Sequence, residues 1–271
     1  MLYAAAFGAL AGAMMVFPGE AAEAAWQGIG LWARSIAPVL GPFMVCMLML
    51  ASRAGGGPAL KTALGWLCGS PGGARLMQNT GLTGPAALRF AAMTGTMSPM
   101  FFLGTVSAWL NRPAAGRVVF ACHLLGAFLI GLCFPREEAR AQPPLPMPLG
   151  QALRDSVLAL LTVGLCMMLG CTVARMAACA FPHLPAWGAA ALQCALEVTS
   201  GVKALIALHT PWTAPLICAA CSFGGLSILL QNAAFWQECG VTMGQLALLR
   251  ALHAALSGCL CWIVLRVFFP L

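Results

Sequence analysis

Apolar positions run along the chain in long blocks, at about 2–17, 29–51, 60–80, 88–110, 117–134, 155–181, 186–208, 212–232 and 246–269. Polar residues gather between the blocks and do not alternate within them. This pattern predicts helices that are apolar on every side, as membrane-spanning helices are. Most blocks approach the roughly 20 residues that a bilayer-crossing helix needs. Block 2–17 is short by that measure, and it starts without a basic segment before Pro18-Gly19-Glu20. A cleaved leader carries a positive start, so the block reads as a retained first span.

Four blocks contain signals against a continuous helix. Gly65, Gly69, Pro71, Gly72, Gly73 and Arg75 all fall in 60–80. Proline removes a helix donor, and each glycine costs about 1 kcal/mol against alanine. Broken backbone is tolerated at membrane depth only when buried in protein or lining a wet cavity, so this block predicts a re-entrant helical hairpin. Block 186–208 breaks at Thr199-Ser200-Gly201 and reads the same way. Blocks 88–110 and 212–232 are long enough to cross but break at Gly95 to Pro99 and at Gly224-Gly225.

The breaks recur at nearly one pace. Gly73, Ser98 and His123 are 25 and 25 residues apart, and Gly201, Ser227 and His253 are 26 and 26 apart. Arg75 lies two residues after Gly73, and Lys203 two after Gly201; Gly95 and Gly224 each precede their serine by three. Paired, glycine-interrupted apolar segments in two halves of a chain point to a transporter's binding site. Between the halves lies Pro135 to Gly150, with five prolines and four charges, which reads as a semi-rigid cytoplasmic linker. The expected fold is an all-α polytopic membrane protein with an inverted repeat of transmembrane helices, two re-entrant hairpins and broken helices. Its parts are a first span with an external loop (1–28), a first repeat (29–134), the linker (135–150) and a second repeat (151–271).

Composition agrees. The chain is 61% apolar and 8% charged, with a mean hydropathy of +0.89, whereas a soluble domain carries about 25% charged residues. The net charge of +7 comes from scattered single Lys and Arg residues, so no nucleic-acid surface is expected. Most of the 13 cysteines sit inside apolar blocks, and even Cys218 and Cys221 lack a second pair or a histidine beside them. Packing is expected of them, not metal binding or redox chemistry.

Charge also sets an expected orientation. Glu20 and Glu23 place 18–28 outside, and Arg53, Lys61, Arg136, Arg140 and Arg154 place their segments in the cytoplasm. Seven spans, two hairpins and an external C-terminus follow, although Arg112 and Arg117 then fall on the wrong side. Nine spans with parallel repeats is the alternative.

Glu197 is the acid that lies deep inside an apolar run. Intramembrane charges cost about 2.5–3.5 kcal/mol on insertion scales and face cavities or partners. It is a candidate for binding a coupling ion, a proton or substrate, and otherwise a structural partner of Lys203 or Arg175. Arg75 and Lys203 just past the breaks would deepen anion sites at helix N-termini, or else snorkel to an interface. Backbone and side chains at Gly72, Gly73, Ser98, Thr199, Gly201, Gly225, Ser227 and Gln231 are candidates for substrate coordination, with Gln78 a weaker one. His123 and His253 read as helix-to-helix hydrogen-bonding residues. No nucleophile–base pattern or phosphate-binding loop occurs, so the chain does not read as an enzyme, and no cofactor or metal is expected.

With these residues in view, the chain resembles the sporulation integral membrane protein family of the YlbJ type, whose members carry the nucleoside-recognition Gate domain. Gly69 to Arg75 is similar to the family's glycine-proline stretch, and Met97 to Val106 to its Ser-Gly-Pro-Leu-Phe-Ile-x-Gly-Thr-Val stretch. Glu197 to Gly201 resembles Glu-Val-Thr-x-Gly, and Ser222 to Gln231 resembles Ser-Phe-Gly-Gly-Leu-Ser-x-x-x-Gln. The tyrosine of the first stretch is missing here, and Ser98 stands where the family has glycine. The resemblance implies two Gate-like repeats and a place in the membrane around the forespore of an endospore-forming bacterium. It also implies transport of dipicolinic acid, or of nucleosides as in related Gate-domain transporters. A non-transporting role in spore-envelope assembly is the rival expectation.

Overall fold

The computed structural model describes residues 2–54, 58–78, 81–135 and 146–268. The regular elements among them are all helical. α1 (Leu2–Val16) is followed by one long helical rod: α2 (Pro18–Leu31), a π-helical turn at Trp32–Ile36, and α3 (Ala37–Ala54). Then come α4 (Pro58–Cys68), α5 (Gly72–Gln78) and α6 (Gly84–Thr94). A second π-helical turn at Phe101–Val106 leads into α7 (Ser107–Leu110) and α8 (Pro113–Leu132). The second half holds α9 (Leu149–Ala180), α10 (Ala186–Leu196), α11 (Val198–Ala207), α12 (Thr213–Phe223), α13 (Gly225–Trp236) and α14 (Met243–Phe268).

The protein is an all-α polytopic membrane protein. Among the described residues five helical stretches are long and apolar enough to cross a bilayer: Pro18–Arg53, Pro113–Leu132, Leu149–Ala180, Thr213–Ala233 and Met243–Phe268. Two of the seven expected spans fall short. The 15 residues of α1 reach only about 22 Å, against about 30 Å of hydrocarbon. Block 88–110 is divided between α6 and the second π turn. The external loop expected at 18–28 is instead helix α2. Its two glutamates suggested a solvated loop, but Pro18 stands at a first-turn position, where its missing N–H is no loss, and alanines fill the body. Residues 136–145 of the linker, with Arg136 and Arg140, and the side chain of Gln78, lie outside what is described.

The helices are turned inside out relative to a soluble protein. On α9, Leu153, Val157, Leu158, Leu161 and Leu165 form an exposed apolar face, while Ala152, Ser156, Val163, Met167 and Gly170 face inward. Such an uncovered apolar face is stable against lipid, not water. Inside, one cluster joins α6, α13 and α14 around Phe90, Trp236 and Leu246. A second joins the second π turn, α8, α11 and α12 around Phe102, Val119, Val198 and Ile217.

α9 serves as a ruler for the interior. Asp155 near its start meets Arg75 of α5, and Ala159 lies with Pro71 and Gly72. Val163 and Met167 follow, and Gly170 abuts Glu197. Farther along, Ala174 and Ala178 share a cavity with Leu184 and Ala189, at the base of α10. From Asp155 to Arg175 is about 30 Å of helix. The α4–α5 and α10–α11 hairpins therefore approach one level of α9 from opposite ends.

Candidate functional site: a cavity among four helix breaks

Each hairpin tip is pressed onto the break of a neighbouring helix, and glycine makes both approaches possible. At the first tip Gly69 has φ +64°, and a Cβ there would lie 2.3 Å from the backbone nitrogen of Ser98. Ser70 N–H donates to Thr96 O at 2.7 Å, and Trp66 Nε1 donates to Met93 O at 2.7 Å. At the second tip Gly225 of α13 has φ +70°, and a Cβ would lie 2.9 Å from Cys194 O. Only glycine takes these left-handed conformations without strain. The hairpins themselves close on glycine too: a Cβ on Gly73 of α5 would meet Gly65 O of α4 at 3.1 Å, and one on Gly201 of α11 would meet Cys194 Cα of α10 at 2.5 Å.

The four breaks surround a narrow cavity of about 60 Å3. Ser70 comes from the first tip, Met97 and Ser98 from the break after α6, Glu197 and Thr199 from the second tip, and Ser227 and Gln231 from the start of α13. Both π-helical turns add walls, Ser35 and Ile36 from one, Phe101 and Thr105 from the other. π turns recur at functional sites because the extra residue re-aims side chains.

Glu197 is 1% exposed. Its extended backbone separates α10 from α11, and its carboxylate accepts from Thr199 N–H at 3.0 Å and Ser200 N–H at 2.6 Å. Carboxylate capping of a helix N-terminus satisfies orphan donors and opposes the dipole favourably. Among the described residues no cation lies within 4 Å of it, so neither Lys203 nor Arg175 is its partner. Arg175 pairs with Glu20, and the Lys203 ammonium sits 4.8 Å from the Trp109 ring. Ser227 Oγ, 1% exposed, has no hydrogen-bond partner among the described residues. Such a group on a cavity wall is a ready ligand donor.

The structure brings together Ser98, Glu197, Thr199, Ser227 and Gln231. Gly72, Gly73, Gly201 and Gly225 lie behind them as close-packing points, not on the wall. Lys203 lines a larger outer cavity. Arg75 lines neither cavity; it donates to Asp155 at 2.7 Å in a half-buried pair, 30% and 16% exposed. The symmetric anion site expected of Arg75 and Lys203 is thus not assembled in this arrangement.

Several residues escaped sequence reasoning. Asn232 holds the first tip by hydrogen bonds with Ser70 Oγ at 2.8 and 3.0 Å. Arg250 of α14, 1% exposed, caps the carbonyl end of α6, donating to Ala91 O at 2.7 Å, Ala92 O at 3.0 Å and Gly95 O at 2.5 Å. A cation there meets the negative end of the helix dipole.

The two repeated histidines meet, with ring centroids 4.8 Å apart. His123 Nε2 accepts from Met97 N–H at 3.1 Å, which leaves its proton on Nδ1, facing Ser222 Oγ at 2.8 Å. His253 Nε2 donates to His123 O at 2.8 Å, so its Nδ1 accepts from Arg250 at 3.3 Å. Both rings are therefore neutral, with tautomers fixed by their partners. His123 ties the break after α6 to the end of α12.

No family model and no solved structure matches the chain. It is 25% identical to the sporulation integral membrane protein YlbJ of Bacillus subtilis (strain 168) over 195 residues, 61% of this chain and 47% of that protein. The chain spans about half the length of the curated relative that it matches. It is a membrane protein related to a sporulation integral membrane protein.

Proposed function

We propose that the chain is a membrane transporter of a small anionic solute, with dipicolinate during sporulation the leading candidate. The observation that carries the reading is the convergence of four helix breaks on one narrow cavity, whose wall sets a carboxylate, hydroxyls and an amide among apolar side chains. Unwound backbone at membrane depth is tolerated where it is buried in protein or lines a wet cavity, and paired broken helices are where transporters bind their solutes. In this reading the two hairpins are re-entrant, the halves form an inverted, Gate-like repeat, and the cavity lies near mid-membrane. Segments bearing Arg53, Lys61 and Arg154 face the cytoplasm. α11 and α13 both begin at the cavity, and their N-termini favour an anion. In this reading the protein sits in the outer forespore membrane, and relatedness to a sporulation integral membrane protein supports a place in sporulation.

Glu197 is the coupling residue. As a carboxylate it occupies the α11 N-terminus, and binding of a proton or cation frees those N–H groups for the solute. At about 60 Å3 the cavity holds only a few waters, so a solute must widen it by displacing a hairpin. One observation favours a nucleoside-type solute instead: the wall offers hydroxyls and an amide but no cation. Thermal stabilisation of the purified chain by dipicolinate, against a nucleoside panel, separates the two. A shift with dipicolinate alone supports the anion reading. A shift with nucleosides alone replaces it, and no shift with either moves the weight to an assembly role in the spore envelope.

A further inference from the structure

Beyond the breaks lies a second, larger cavity of about 780 Å3, within the range of small-molecule sites. α2, the first π turn, the end of α9 and the α10–α11 hairpin line it, and one side is open. Its wall carries Arg34, Arg175 and Lys203 against a single lining acid, Glu23. Arg175 is held by Glu20, and Glu23 accepts a hydrogen bond from Gln27. Arg34 and Lys203 are exposed and have no carboxylate partner among the described residues. Resting over the Trp109 ring leaves the Lys203 charge intact.

The two cavities are neighbours through two thin elements. Ser35, beside Arg34 on the π turn, lines both. On α11 Ser200 faces the outer cavity while Thr199 faces the inner one. The same N-terminal turn of α11 that Glu197 caps thus forms the partition.

We propose that the outer cavity is a loading site for a small carboxylate-bearing anion, with Arg34 and Lys203 binding its carboxylates before it passes the Glu197 turn. A guanidinium binds carboxylate through a two-pronged fork, and an ammonium adds a point charge. The second charge suits a dianion more than a monoanion. This rests on the transport reading above and assigns its first binding step to residues outside the inner cavity.

The test is calorimetric titration of the detergent-purified full chain with dipicolinate, and with benzoate as monoanion, at low and high salt. Wild type, Arg34→Ala and Lys203→Ala are compared. Both side chains are exposed, so each variant should keep the wild-type melting temperature. The expected result is dipicolinate binding that weakens with salt and falls about tenfold or more in each variant, with Arg34→Lys recovering part of the loss. Kd values within about twofold of wild type, or a wild type that binds neither acid, overturn the loading site. Uptake by proteoliposomes keeps the two readings apart. Titration that behaves as expected without any uptake sinks the transport reading and leaves Arg34 and Lys203 as an anion-binding site without a loading role. Uptake whose KM ignores both residues sinks the loading site and leaves the transport reading standing.

Discussion

Replacing Arg250 tests how the cavity wall is held. The guanidinium, 1% exposed, donates to three backbone carbonyls at 2.5, 2.7 and 3.0 Å and contacts His253. Arg250→Met keeps much of the volume and removes every donor. Three carbonyls at the end of α6 then lie buried beside an apolar side chain. Hydrogen bonds from a charged donor contribute about 1.5–3 kcal/mol each. Losing three of them would cost about 4.5–9 kcal/mol, and removing the several kcal/mol desolvation cost of the guanidinium offsets part of that, which leaves about 3–5 kcal/mol. For a chain of this size that is a fall in melting temperature of about 6–20 °C, read by heating the detergent-solubilised protein and measuring the monodisperse fraction. Arg250→Lys recovers little, since one ammonium cannot span three carbonyls. The break after α6 also carries Met97 and Ser98, so ligand stabilisation should drop with stability. A loss below about 2 °C in Arg250→Met would refute the assignment of Arg250 as the cap of α6.

Other variants sort wall residues from packing residues. Ser227→Ala removes a hydroxyl without a protein partner, so melting should change by less than about 3 °C while solute affinity falls; a large stability loss would show an overlooked structural bond. Gly69→Ala forces a Cβ to 2.3 Å from Ser98 N at φ +64° and should destabilise by at least about 2 kcal/mol, measured by thermal unfolding, with wild-type stability the contrary result. Arg75→Ala should leave solute affinity within about twofold of wild type, and a double-mutant cycle with Asp155→Ala should give a coupling of at most about 1 kcal/mol, given the pair's partial exposure. A solute-affinity loss greater than tenfold in Arg75→Ala would return Arg75 to the site.

Much of the site was legible because glycine and proline mark backbone that cannot be plain helix. Gly69, Pro71, Gly95, Gly224 and Gly225 all fall at or beside breaks. Glu197 was legible as a charge in an apolar run, and its role as a helix cap follows from Thr199 and Ser200 just after it. What escaped depends on tertiary partners. Arg250 looks like a residue near a helix end, and nothing local shows that its acceptors are carbonyls some 155 residues earlier. Arg75 repeats Lys203 in sequence, yet Asp155, 80 residues on, claims it. The π turns at Trp32–Ile36 and Phe101–Val106 have no composition signal, because one extra residue per turn changes no hydrophobic pattern. Helix α2 was hidden by weighting two glutamates above an alanine-rich body.

In the proposed mechanism the cavity among the four breaks moves solute under the control of Glu197. Uptake of dipicolinate into proteoliposomes by wild type and by Glu197→Gln, with insertion of both verified, tests it most directly. The expected result is uptake by wild type and its loss in Glu197→Gln, since the amide cannot carry the charge that couples ion or proton to solute. Uptake by Glu197→Gln at the wild-type rate would contradict it.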